Sequence, residues 1–143
     1  MGTPFNDIYQ LFLSQIKDYE LAMMDDNSLN ENMQLWLMSS IGHFGNCRKD
    51  LRQHDLITSN FIEELDSEEK FILAKYMSYA YLLTYVITES NLKQSLNSKD
   101  YRMYSPANQL KALQGLRDSI YKEANSLKTQ YSYNIHSIKD FFK

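Results

Sequence analysis

Glycine and proline are scarce, four and two residues in a chain of 143, and the glycines are scattered at positions 2, 42, 45 and 115. Such a chain has little material for left-handed turns or sharp reversals and none for a glycine-rich phosphate loop, so long helices with short connections are expected. A single cysteine, Cys47, excludes an intrachain disulfide. The first residues have neither a basic segment nor a long apolar run, so no secretion signal is expected. The most apolar stretch, residues 71–87, is broken by Lys75, Ser78 and Thr84 and carries four tyrosines, which suits a core helix better than a membrane span. Positive charge is also short: 15 basic against 18 acidic residues leave a net charge of −3, where a bulk polyanion binder would be basic.

What the chain has in quantity is aromatic residues, 11 Tyr and 7 Phe, with 7 Met beside them. Its length fits one domain with one modest core. A first helix is expected from Thr3, with the hydroxyl as cap and Pro4 in the first helical position, carrying the stripe Phe5, Ile8, Phe12, Ile16 and Tyr19. Asp25, Asp26 and Asn27 close it, and Ser28 with Glu31 resembles a capping box for a second helix bearing Leu29, Met33, Trp36, Leu37, Ser40, Ile41 and Phe44. Gly42 and Gly45 loosen the chain before a short helical piece with Cys47 and Leu51, and residues 55–60 read as a loop.

Asp66 or Ser67 caps a third long helix with Glu68 and Glu69 in its first turn, where the helix dipole favours negative charge. It is apolar almost all round, which places Ile72, Tyr76, Tyr79, Leu83 and Val86 at the centre of a bundle. Residues 91–97 read as a separate short helix. Ser105 and Pro106 then open a last long helix with Leu110, Leu113, Leu116, Ile120, Ala124, Leu127 and Tyr131 at helical spacing. Beyond it Tyr131, Tyr133 and Ile135 alternate, which predicts extended chain. The expected fold is therefore all-α: about four main helices with short connecting helices in a bundle domain over residues 1–130, and an extended aromatic C-terminal docking tail over residues 131–143.

Charge divides unevenly, 5 basic and 13 acidic residues in 1–70 against 10 and 5 in 71–143. The halves could attract within one copy or between neighbouring copies, and both readings stay open. His43 and Cys47, four apart, suggest a thiolate–imidazole pair or part of a metal site, with His54 and His136 in reserve, but the paired ligand spacing of a zinc site is missing. Glu-x-x-His, His-Glu-x-x-His and the glycine–serine elbow of hydrolases are also absent, so no catalytic, cofactor or metal residues are assigned. Arg48, Lys49 and Arg52 form the one compact basic cluster, a possible DNA-facing patch diluted by Asp50 and Asp55. Tyr101, Tyr104, Tyr131, Tyr133, Phe141 and Phe142 do not fit a core as readily and are candidate protein-interface residues, with Ile135 and Ile138 beside the last of them.

The segment Ser98, Lys99, Asp100, Tyr101, Arg102, Met103, Tyr104, Ser105, Pro106, Ala107, Asn108, Gln109, Leu110 with the helix after it resembles a family of small helical structural proteins, the head-to-tail connectors or neck adaptors of tailed bacteriophages infecting Gram-positive bacteria. Thr3, Pro4 and Phe5, then Phe12 to Tyr19, then Asn46, Cys47, Arg48, Lys49, Asp50 and Leu51 are similar to that family as well. The resemblance implies a non-enzymatic virion protein, assembled in the host cytoplasm, that forms a ring beneath the portal, extends the DNA channel and docks the tail. Implied partners are the portal protein, other copies in a twelvefold ring, stopper or tail proteins, and genomic DNA passing without sequence-specific binding, with no membrane and no cofactor. The rival readings are a tail-completion or stopper protein of the neck, a small nucleic-acid-binding phage protein for packaging or regulation, and a thiol or metal enzyme at His43 and Cys47.

Overall fold

A computed structural model describes residues 2–18, 26–95 and 107–141, and the side chains of 2–16, 32–84, 111 and 113–133. Its described residues form four helices, α1 (Phe5–Asp18), α2 (Asp26–His43), α3 (Ser67–Ser95) and α4 (Ala107–Phe141), and three two-residue strands, β1 (Thr3–Pro4), β2 (His54–Asp55) and β3 (Asn60–Phe61). The fold is an all-α bundle, with α3 packed against each of the other three helices. None of the described helices is long and apolar enough to cross a membrane.

Periodicity sets the core. Phe5, Ile8, Phe12 and Ile16 of α1 are all buried, as are Met33, Trp36 and Leu37 of α2 and Leu113, Ile120 and Ala124 of α4. Helix α3 buries Ile72, Leu73, Ala74, Tyr76, Met77, Tyr81 and Leu82, covering most of its circumference, as befits a central element. Tyr79 and Leu83, also expected at the centre, are only partly buried. Rings of three helices meet where Trp36 stands edge-on to Tyr81 at 5.2 Å and against Phe12 at 5.6 Å. Inside the same layer Ser78 donates to the Gln15 side-chain oxygen at 2.8 Å.

Four expectations about the elements are corrected. Thr3 and Pro4 do not open α1; they form β1, antiparallel to β3 with Thr3 opposite Phe61. The Thr3 hydroxyl accepts from the Leu65 N–H at 2.8 Å and donates to the Glu63 carbonyl, so it is engaged across the fold, and Pro4, with no N–H, sits in an edge strand where none is needed. Second, the loop expected over residues 55–60 carries a hairpin, His54 opposite Phe61 and Asp55 opposite Asn60. Third, no helix forms around Cys47 and Leu51: the Asp50 side chain accepts from the Arg52 N–H and its own N–H bonds Glu63, a local alternative to helix that aspartate offers. Fourth, residues 91–95 continue α3, which runs unbroken to Ser95, and do not start a separate helix, while 96 and 97 lie outside the described residues; with no glycine or proline in the way, propagation adds one bond per residue without a new nucleus.

The same cooperativity governs the C-terminus. Helix α4 continues through Tyr131 to Phe141, so the alternation of Tyr131, Tyr133 and Ile135 does not mark extended chain, and the backbone shows no break at residue 131. Tyr101, Tyr104, Ser105, Pro106 and Phe142 lie outside the described residues, as do the side chains of Val86, Ile135, His136, Ile138 and Phe141.

Candidate functional site

The chemistry-bearing residues that the fold does bring together gather at the N-terminus of α3. Asp66 is its cap: its Oδ1 accepts from the Glu69 N–H at 2.8 Å while Glu69 Oε1 accepts from the Asp66 N–H at 2.9 Å, a reciprocal capping box. This turns the Glu69 carboxylate inward, and the residue is fully buried. A buried charge must be paired and hydrogen-bonded, and here both oxygens are. Lys49 reaches Oε1 at 3.3 Å, the Tyr131 phenol donates to Oε2 at 2.6 Å, and the Cys47 thiol lies 3.5 Å from the same oxygen.

Three segments distant in sequence are joined in this way. Residues 44–49 follow α2 and turn over the start of α3, where the Arg48 N–H donates to the Tyr131 hydroxyl at 2.9 Å and the guanidinium pairs with Asp66 at 3.4 Å. Phe44 packs edge-on to the Tyr131 ring at 5.1 Å, and Asn46 donates to the Lys128 carbonyl of α4. Arg48 also stands 5.7 Å from the centre of the Tyr131 ring, a cation–π distance. A cavity of about 450 Å³ opens beside the junction, bordered by Ile41, Phe44, Cys47, Lys49 and Arg52.

Burial and hydrogen bonding set the electrostatics of this cluster. Burial alone would raise the Glu69 carboxyl, but the donors Tyr131, Asp66 N–H, Lys49 and Cys47 outweigh it and hold it below the usual carboxylate range. Burial, with the Glu69 charge adding to it, pushes the Cys47 thiol up to about 12, against the pull of a backbone hydrogen bond from Lys49. Proton transfer from that thiol to this carboxylate is therefore strongly uphill, the reverse of what an activated nucleophile requires. Tyr131 is likewise raised, by burial and by its bond to Glu69.

His43 and Cys47 are not brought together as a pair. His43 closes α2 and stacks on Tyr76 at 5.1 Å, with Tyr79 and Tyr121 edge-on at 5.8 and 5.9 Å, while Cys47 faces Glu69. Burial first, and then Lys128, lowers the His43 pKa. His54 packs on Phe5 and Phe61, and its Nδ1 lies 2.9 Å from the Leu51 carbonyl. Among the described residues no three His, Cys, Asp or Glu side chains are placed to hold a metal ion.

Of the basic cluster, Arg48 and Lys49 are engaged by Asp66 and Glu69, and Arg52 is exposed. Of the interface residues, Tyr131 is buried at 1% exposure and belongs to the core, whereas Tyr133 is exposed. The pattern missed Glu69 as the partner of Tyr131, although Tyr131 stands four residues beyond Leu127 and so continues the α4 stripe. The chain matches no known family model, and no curated protein and no solved structure matches it.

Proposed function

We propose that this chain is a non-enzymatic structural adaptor of a phage neck, a head-to-tail connector that forms a ring under the portal and offers a docking surface to the tail. Its support is the sequence resemblance, which spans most of the chain, together with one structural observation. Among the described residues, the set of chemistry-bearing groups centred on Glu69 is occupied in joining three chain segments, with both carboxylate oxygens bonded and the lone thiol held protonated. Rigid helices held at their crossing points suit a protein that must transmit contacts between unlike neighbours.

In this reading Tyr133, Ile135, Ile138, Phe141 and Phe142 pack against the portal or an adjacent copy, without Tyr131, which the bundle uses itself. Tyr101 and Tyr104 remain contact candidates for a neighbouring copy or the tail. The test is deletion of residues 134–143, which leaves the Tyr131–Glu69 bond in place. A connector so shortened stays helical and fails to join portal-bearing heads; unimpaired joining rejects the assignment of these residues.

A further inference from the structure

Two surfaces on opposite halves of the sequence are complementary. The first is the β2–β3 hairpin tip, where Ile57 is 95% exposed and Leu56 is exposed beside it. This tip is rigidly presented: Asp55 Oδ1 accepts from the N–H groups of Ile57 at 2.8 Å and Thr58 at 3.4 Å, Ser59 takes a left-handed φ of 56°, and the Ser59 carbonyl accepts from the Phe5 N–H at 2.8 Å. An exposed apolar side chain on a fixed turn loses little freedom on binding, which favours its use as an anchor. The second is a hollow of about 540 Å³ along α4, walled mostly by apolar surface of Lys128, Thr129, Tyr133 and their neighbours Asn46 and Ser132, where Tyr133 is 71% exposed.

Charge says which surface covers which. Every ion pair among the described residues stays within one half of the chain: Arg48–Asp66, Lys49–Glu69 and Lys70–Asp7 in residues 1–70, Lys75–Glu123 and Arg117–Asp118 in residues 71–143. Among the described residues, therefore, no ion pair joins the acidic half to the basic half. Asp55, Glu63 and Glu64 around the hairpin take part in no ion pair with a described residue, nor does Lys128 in the wall of the hollow.

We propose that copies of this chain associate head to tail, the Ile57 tip of one seating in the α4 hollow beside Tyr133 of the next, with carboxylates of the hairpin facing Lys128. The contact joins two different patches, so it leaves one tip and one hollow open at the ends of any chain of copies, and rotation decides closure. It deepens the adaptor reading and rests on it only for closure into a ring.

The test uses the full chain with Ile57→Asp or Tyr133→Asp, both at exposed positions whose substitution leaves the core intact, which circular dichroism checks. Sedimentation of the unaltered protein at rising concentration should show open-ended association, and each variant alone should associate roughly thirtyfold more weakly, as loss of an anchor does. An equimolar mixture of the two variants should recover one heterodimer and nothing larger, because one intact tip then meets one intact hollow. An Ile57→Cys copy mixed with a Tyr133→Cys copy should cross-link to each other in preference to themselves under oxidation. Absence of that cross-link, a monomer at all concentrations, or variants that associate as before would each overturn the contact. None of these results bears on whether the chain sits in a virion neck, which is decided separately by locating it there.

Discussion

The Tyr131 phenol donates to the buried Glu69 carboxylate at 2.6 Å, tying the last third of α4 to the first turn of α3 across 62 positions of sequence. Four further contacts converge on those two side chains: Lys49 and Cys47 on Glu69, the Arg48 backbone and guanidinium on Tyr131. A buried carboxylate that loses its best donor is left partly unpaired. Tyr131→Phe should therefore lower stability by about 1.5–3 kcal/mol, measured by denaturant unfolding with the m-value unchanged.

Protonation of Glu69 gives the pH dependence a definite sign. The carboxyl is held below its ordinary range in the folded protein, so its contribution is complete at neutral pH and is lost as pH falls through the unfolded value, about 4.3, and then the folded one. Glu69→Gln lacks this dependence. The stability gap between the natural protein and Glu69→Gln should be widest near pH 7 and narrow steadily in acid; a gap independent of pH would contradict the role given to the charge.

Cys47 should be slow to react. With its thiol pushed up to about 12, it holds roughly a thousandfold less thiolate near neutral pH than an ordinary cysteine. Labelling by a disulfide reagent should be correspondingly slow in the folded protein, faster in Glu69→Gln, where the adjacent charge is gone, and fast in denaturant. Rapid labelling of the folded chain would reopen a thiol mechanism.

How much of this was readable from the residues depends on distance along the chain. The Phe5, Ile8, Phe12, Ile16 stripe and the Asp66 cap are local patterns, and local periodicity or a fixed three-residue spacing suffices to find them. Glu69 reads locally as a first-turn acid serving the helix dipole, and nothing within its own turn announces a lysine 20 residues before it or a tyrosine 62 residues after it. Tyr131 invites two readings, as the end of a 3.6-residue stripe or the start of an alternating tail. Burial against Glu69 and Phe44 decides for the first.

Gly2 is another position whose constraint is not local. A Cβ there would collide with the backbone carbonyl of Phe61, because β1 passes too close to β3 for a side chain. Gly2→Ala should detach or displace β1 and lower the melting temperature, at a cost of about 1–3 kcal/mol. A silent substitution would mean that β1 is not seated as described.

The end of the bundle can be found by truncation. Removing residues 134–143 keeps Tyr131 in its bonds, whereas removing 131–143 deletes a core ring and leaves Glu69 without its phenol, which should cost roughly 3 kcal/mol or more. Thermal melts of the two shortened chains should therefore differ sharply, and equal stability would put the domain boundary back at residue 130.

If the adaptor proposal holds, imaging of the neck in intact virions bears most directly on the role of this chain. A connector appears as a ring of helical density between portal and tail into which α1 to α4 fit, with the protein recovered stoichiometrically from purified virions. Purified virions that lack the protein altogether would contradict the adaptor function.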